Sequence, residues 1–107
     1  MKFLCIVHHD EDWFDRRTPA EMEALDRDSM AYDRDLAEKG RLVVAQALQN
    51  SRTARLVKVR GRKVFVNDGA FTETKEQMIG FLLIEAGGMD EAVEIAKGVP
   101  LAAIGTI

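Results

Sequence analysis

Residues 67–77 read Asn-Asp-Gly-Ala-Phe-Thr-Glu-Thr-Lys-Glu-Gln, which gathers the acids Asp68, Glu73 and Glu76 around one base, Lys75. Proton transfer at a substrate carbon needs a base within reach and a group that steadies the developing charge. Asp68 supplies such a base, Glu73 a second carboxylate, Lys75 a cationic anchor, and Phe71 an apolar contact. The same run also reads as a clasp in which Glu73 and Glu76 neutralise Lys75, and this is the commoner use of such residues. At a surface the clasp would contribute only about 0–1 kcal/mol.

A second group of chemistry-bearing residues is His8-His9-Asp10-Glu11-Asp12. Imidazole and carboxylate are metal ligands, but neighbours on a strand point to opposite faces, so His8 and His9 do not serve one ion. No metal site is expected. A histidine that titrates near neutral pH is an alternative general base, and His8 takes that place; the other reading is a plain loop or interface histidine.

These residues need elements to hold them. Phe3 to Val7 is a short apolar run with β-branched members, which predicts a buried strand. Trp13 and Phe14 then fall in a loop. Thr18-Pro19-Ala20-Glu21 predicts a helix start, with Thr as N-cap, Pro first in the helix and Glu in the capping position. Met22, Leu25, Ser29, Tyr32 and Leu36 form its inward stripe, and Gly40 ends it. Ser29 and Tyr32 are polar intruders on that stripe. Either Ser29 bonds back one turn and Tyr32 reaches the core edge, or both point into a pocket between helix and sheet.

Leu42 to Leu48 predicts a second strand, with Gln46 its polar member and a further pocket residue. Thr53 to Arg60 and Arg62 to Asn67 alternate as a hairpin turning at Gly61-Arg62. Asp68-Gly69 then turns the chain again. Met78 to Glu85 is the most apolar strand and is expected at the centre of the sheet. Asp90 is expected to cap a short helix with Ala92, Val93 and Ala96 inward, ending at Gly98 before Pro100. Residues 102–107 begin a last strand. The order is β-α-β, hairpin, β-α-β.

At 107 residues the chain is read as one domain, 1–107, with room for one modest core. A net charge of −3 argues against a general nucleic-acid binder. Arg52, Arg55, Lys58, Arg60, Arg62 and Lys63 do cluster, which reads as a solvated hairpin. Cys5 is the only cysteine, which excludes an internal disulfide and a zinc ribbon and fits a reducing cytoplasm. The opening run is too short for a signal peptide's core, and no run is long enough to cross a bilayer.

Asp68-Gly69-Ala70-Phe71-Thr72-Glu73-Thr74-Lys75-Glu76-Gln77, then Gly80-Phe81-Leu82-Leu83-Ile84 and Asp90-Glu91-Ala92-Val93, resemble the DGPF-motif group of the YCII-related family. The acidic exit of the first strand, the Thr-Pro-Ala-Glu-Met helix start and the Leu42–Leu48 strand match too, so the resemblance covers nearly the whole chain. It implies an α+β, ferredoxin-like protomer with an antiparallel sheet that pairs into a dimeric α/β barrel, without an organic cofactor. It further implies either a small acid–base enzyme, isomerase- or lyase-like, acting on an organic acid or lactone in a protomer cavity, or a non-catalytic ligand-binding or regulatory dimer associated with alternative sigma factors. Ala70 stands where the group usually has Pro, and His8-His9 where an aromatic residue and Gly are commoner. Members usually continue the last strand beyond Ile107. Ser29 occupies the helix position where the wider family carries a suspected catalytic His.

Overall fold

The computed structural model describes residues 1–68 and 75–107. Its architecture is mixed α+β with antiparallel sheets, consistent with the ferredoxin-like arrangement expected. Strand β1 (Lys2–His9) leads through helix α1 (Glu11–Asp15) to the long helix α2 (Pro19–Glu38), and β2 (Leu42–Ala47) returns beside it. A hairpin of β3 (Arg55–Arg60) and β4 (Lys63–Asp68) follows, then β5 (Gln77–Glu85) and α3 (Met89–Lys97).

The most apolar strand is central, as its sequence predicts: β5 lies between β1 and β2, antiparallel to both. Alternation along β5 sends Gly80, Leu82, Ile84 and, just beyond it, Ala86 to one face, where all are buried. Cys5 and Val7 of β1 join them, and α2 and α3 cover this face through Leu36, Ala92 and Ile95. Ile84 is 0% exposed and is the centre of the core.

Helix α2 begins where the capping box predicts. Thr18 Oγ1 accepts from the Glu21 amide at 3.1 Å, and the Glu21 carboxylate accepts from the Thr18 amide at 3.2 Å. The bond from the Thr18 amide holds the Glu21 carboxyl below its usual value. At the far end Gly40 adopts a φ of 71°, a left-handed conformation that favours glycine. Gly61 (φ 60°) opens the two-residue hairpin turn in the same way.

Four local expectations are corrected. Trp13 and Phe14 lie in α1 and not in a loop, because the Asp10 carboxylate caps that helix by accepting the Asp12 amide at 3.0 Å. In α3 the N-cap is Gly88 and Asp90 sits in the first turn; the Glu91 carboxylate takes the Gly87 amide at 2.8 Å. Val93 is exposed, and Ile95 takes the inward place expected for it. The last strand is reduced to one bridge, Thr106 to His8, since Pro100–Ala103 forms a 3₁₀ turn and the Leu101 carbonyl takes the Ile104 and Gly105 amides. Backbone groups committed to that turn are lost to a ladder.

Tyr32 joins α2 to α3 by donating its hydroxyl to the Ile95 carbonyl at 2.6 Å. Burial raises the Tyr32 pKa, which keeps the phenol a donor. The ring lies where a side chain at residue 98 would be: a Cβ on Gly98 would come within 2.6 and 2.7 Å of Tyr32 Cζ and Cε1.

Candidate functional site

Where α2 crosses β5 and β2, the facing side chains are small. The sheet offers Ala45, Ala47 and Gly80, with Ala47 directly opposite Gly80 in the ladder, and the helix offers Ser29. Small residues on both walls leave a hollow of about 440 Å³. Its floor is apolar, from Val7, Leu82 and Ile79, and its flanks are Met22 and Leu25 of α2 with the Val99–Leu101 turn. Gly80 cannot be enlarged, because a Cβ there would lie 2.8 Å from the Gln46 carbonyl oxygen.

The charged groups at this hollow have one sign. Glu11, Asp15, Asp26 and Asp33 line it, and among the described residues no Lys, Arg or His does. Glu11 is already engaged, accepting the Ser51 amide at 2.8 Å and the Ser51 hydroxyl. Asp33 is different. It is half-buried, no ion pair reaches it among the described residues, and burial raises its pKa above the ordinary aspartate value. Ser29 lies one helical turn before Asp33, so the two side chains share a face. A carboxyl tuned upward in an apolar recess, beside a hydroxyl, can take up and return a proton near its own pKa.

Phe14, on the wall of the hollow, belongs to an aromatic group that the sequence does not reveal as a unit. His9 is 5% exposed, with its ring centre 4.9 Å from Trp13 and 5.1 Å from Phe14, and those two rings meet edge to face. His9 Nδ1 is 2.9 Å from the Asp10 carbonyl, which can only accept, so Nδ1 carries the hydrogen. The Arg17 guanidinium stacks 4.3 Å from the Trp13 ring centre. The group packs α1 against the end of β1, and Phe14 is its contribution to the hollow.

The residues singled out from sequence are spread over three places. Ser29 lines the main hollow. Gln46 borders it too, but it opposes Phe81 while Ala45 opposes Leu82, so alternation turns its side chain to the other sheet face. Tyr32, tied to Ile95, is not among the lining residues. His8 lies on the strand face opposite His9 and borders a second hollow of about 490 Å³, with Asn50, Glu76 and Met78 among its walls. Asp68 ends β4 with its side chain 94% exposed and its carboxylate 3.4 Å from Arg55 Nε, the residue directly across the ladder. Lys75 is exposed, and neither it nor Asp68 lines either hollow. Glu73 and Phe71 lie outside the described residues. Among the described residues no cluster of His, Cys, Asp and Glu is placed to hold a metal ion, and no helix is long and apolar enough to cross a membrane.

Asp33 is not among the candidates the sequence offers, because its residue type does not set it apart from the other acids of α2. The signal was its position four residues after Ser29, on the flank of the apolar stripe. Asp26 stands on the same flank one turn earlier.

Comparison with known proteins shows both a family and a relative. The family model of the YCII-related domain matches residues 1–107. An uncharacterised protein of Rhizobium meliloti (strain 1021) is 32% identical over 97 residues, which cover 91% of this chain and 78% of that one.

Proposed function

The chain belongs to the YCII-related family, and we propose that within it the chain is a cofactor-independent acid–base enzyme, isomerase- or lyase-like, acting on a small uncharged molecule such as a lactone. The observation that carries this reading is the half-buried Asp33 carboxyl, which no ion pair reaches among the described residues, on the wall of an apolar hollow. In this mechanism the Asp33 carboxylate removes a proton from the carbon beside the substrate carbonyl. Ser29 donates its hydroxyl to the oxygen where charge develops, and Asp33 returns the proton at a second carbon. The acid–base role thereby passes from Asp68 and His8 to Asp33, and Ser29 keeps its part in binding.

The charge at the site narrows the substrate class. An organic acid would bring its carboxylate beside Asp26, Asp33 and Asp15 with no cation among the described lining residues to offset it. Like charges in a recess of low dielectric repel strongly. A lactone meets no such barrier. We read the working form as a homodimer, because the sheet face turned away from the helices is apolar and bare.

The test is a thermal-shift panel of lactones, carboxylic acids and amines, followed by turnover assays on any binder. A ligand at 100 times its Kd adds about 2.7 kcal/mol of stability. The expected result is a lactone that raises Tm and is turned over, with turnover reduced about 100-fold or more in Asp33→Asn. Preferential binding of carboxylic acids, or full activity in Asp33→Asn, overturns the assignment. Binding without turnover moves the protein to the other reading, a non-catalytic small-ligand or regulatory module of the kind associated with alternative sigma factors.

A further inference from the structure

After Glu38 the chain reverses within residues 39–41, and β2 runs back along α2. The Arg41 amide donates to the Leu36 carbonyl at 2.8 Å and fixes that return. Helix and strand rise then set the two walls of the main hollow level with each other: Ala45 with Ser29 about 10 Å from the return, Ala47 with Leu25 about 16 Å, and Leu48 with Met22 about 20 Å. The hollow is therefore a slot along the helix, and its two ends are unlike.

The end nearer the return carries the polar pair, Ser29 and Asp33. The far end is apolar. Met22 and Leu25 face Ala47 and Leu48 there, and Phe14 closes the slot, since the bond from the Ser51 amide to Glu11 ties α1 to the chain after β2. Across the floor Val7, Gly80 and Ala47 form one row, in which only Val7 has a side chain larger than a methyl group. Of the acids at this end, Glu11 is committed to Ser51, while Asp15 and Asp26 stay exposed to water. Leu48 is left 42% exposed, an apolar wall that a ligand would cover.

A bare lactone ring does not use this space. The hollow of about 440 Å³ has the volume of about fifteen waters at roughly 30 Å³ each. A ring set against Ser29 and Asp33 exchanges its water for one hydroxyl and one carboxyl, which gains little. Apolar bulk on a non-reacting part of the molecule supplies binding energy that the ring alone lacks.

We propose that this hollow takes a lactone bearing an unbranched alkyl chain, its ring against Ser29 and Asp33 and its chain laid along the Gly80–Ala47 row toward Phe14, with Ala47 the residue that limits the chain. The proposal rests on the reading of this hollow as the site of a neutral lactone, and it adds what fills the remainder. From Ser29 to Met22 the chain has about 10 Å to run.

Calorimetric titration of the full chain with γ-butyrolactone, γ-octalactone and γ-decalactone tests the chain, and turnover of the same three compounds tests the chemistry. Affinity is expected to rise by up to about four-fold for each added methylene. Ala47→Leu lowers the affinity for γ-decalactone by about 10-fold or more, and Ala47→Val lowers it by a smaller factor. Ala47 is exposed, and an unchanged circular dichroism spectrum checks the fold of both variants. Asp33→Asn keeps the rise with chain length while turnover falls. Affinity that does not rise with the chain, or γ-decalactone binding unmoved in both Ala47 variants, overturns the proposal and leaves the acid–base reading to the turnover assay. A rising series without turnover upholds the chain assignment and removes the catalytic role of Asp33. No binding of any of the three lactones overturns both.

Discussion

The β5 strand and the β3–β4 hairpin are both β-branched in part and both regularly alternating, yet one contains the most buried side chain in the core and the other has no buried residue among those described. The difference lies in what stands over them. Leu36 of α2 and Ala92 and Ile95 of α3 close over Leu82 and Ile84; the described residues supply nothing equivalent for Val57, Val59, Val64 and Val66. Alternation tells which side chains share a face. Whether that face is dry depends on an element elsewhere in the chain, or on another chain.

The largest expected effect tests the two regions directly. Ile84→Ala should cost about 2–5 kcal/mol in urea unfolding, through lost contacts and the cavity left behind. Val64→Ala in dilute protein should cost under about 0.5 kcal/mol, as an exposed substitution does. Equal costs at dilution would mean that the hairpin is sheltered by its own chain after all. Next in size, Tyr32→Phe leaves the Ile95 carbonyl without its donor and should cost about 1–3 kcal/mol, read as a lower urea midpoint at unchanged slope. A negligible change would show that α2 and α3 are held over the sheet by packing alone.

The smallest effect has the opposite sign. Burial raises the Asp33 pKa above 3.8, so its contribution to stability is fully present below the unfolded value and is lost as pH rises through the folded one. Asp33→Asn should therefore stabilise the protein at neutral pH, by less than about 1 kcal/mol after solvent screening, and the gain should vanish in acid. A variant less stable at neutral pH would contradict a carboxyl raised by burial there. Greater stability together with lost turnover is the signature of a group kept for function.

Sequence patterns made most of the fold legible because its signals are local. The Thr18–Glu21 box and the glycines at 40 and 61 each act within a few residues, and the apolar run of β5 is long enough to mark a central strand. The site was less legible. Asp68 and Lys75 drew attention by residue type, but Asp68 sits at the end of a strand whose neighbour, Arg55, already answers its charge. The hollow arises from missing volume at Ala45, Ala47, Gly80 and Ser29, which come together only when helix and sheet pack. Asp33 has no distinguishing residue type among the many acids of α2; its distinction is the wall it faces.

The contact between Tyr32 and residue 98 reaches beyond this one chain. Gly98 has an ordinary right-handed backbone, with φ −83°, so nothing in its own conformation requires a glycine. What requires it is a phenol ring contributed by a residue 66 positions earlier. Relatives that retain the tyrosine should retain the glycine, and those that replace the ring by something smaller are free to grow a methyl group in its place, so the two positions should change together through the lineage.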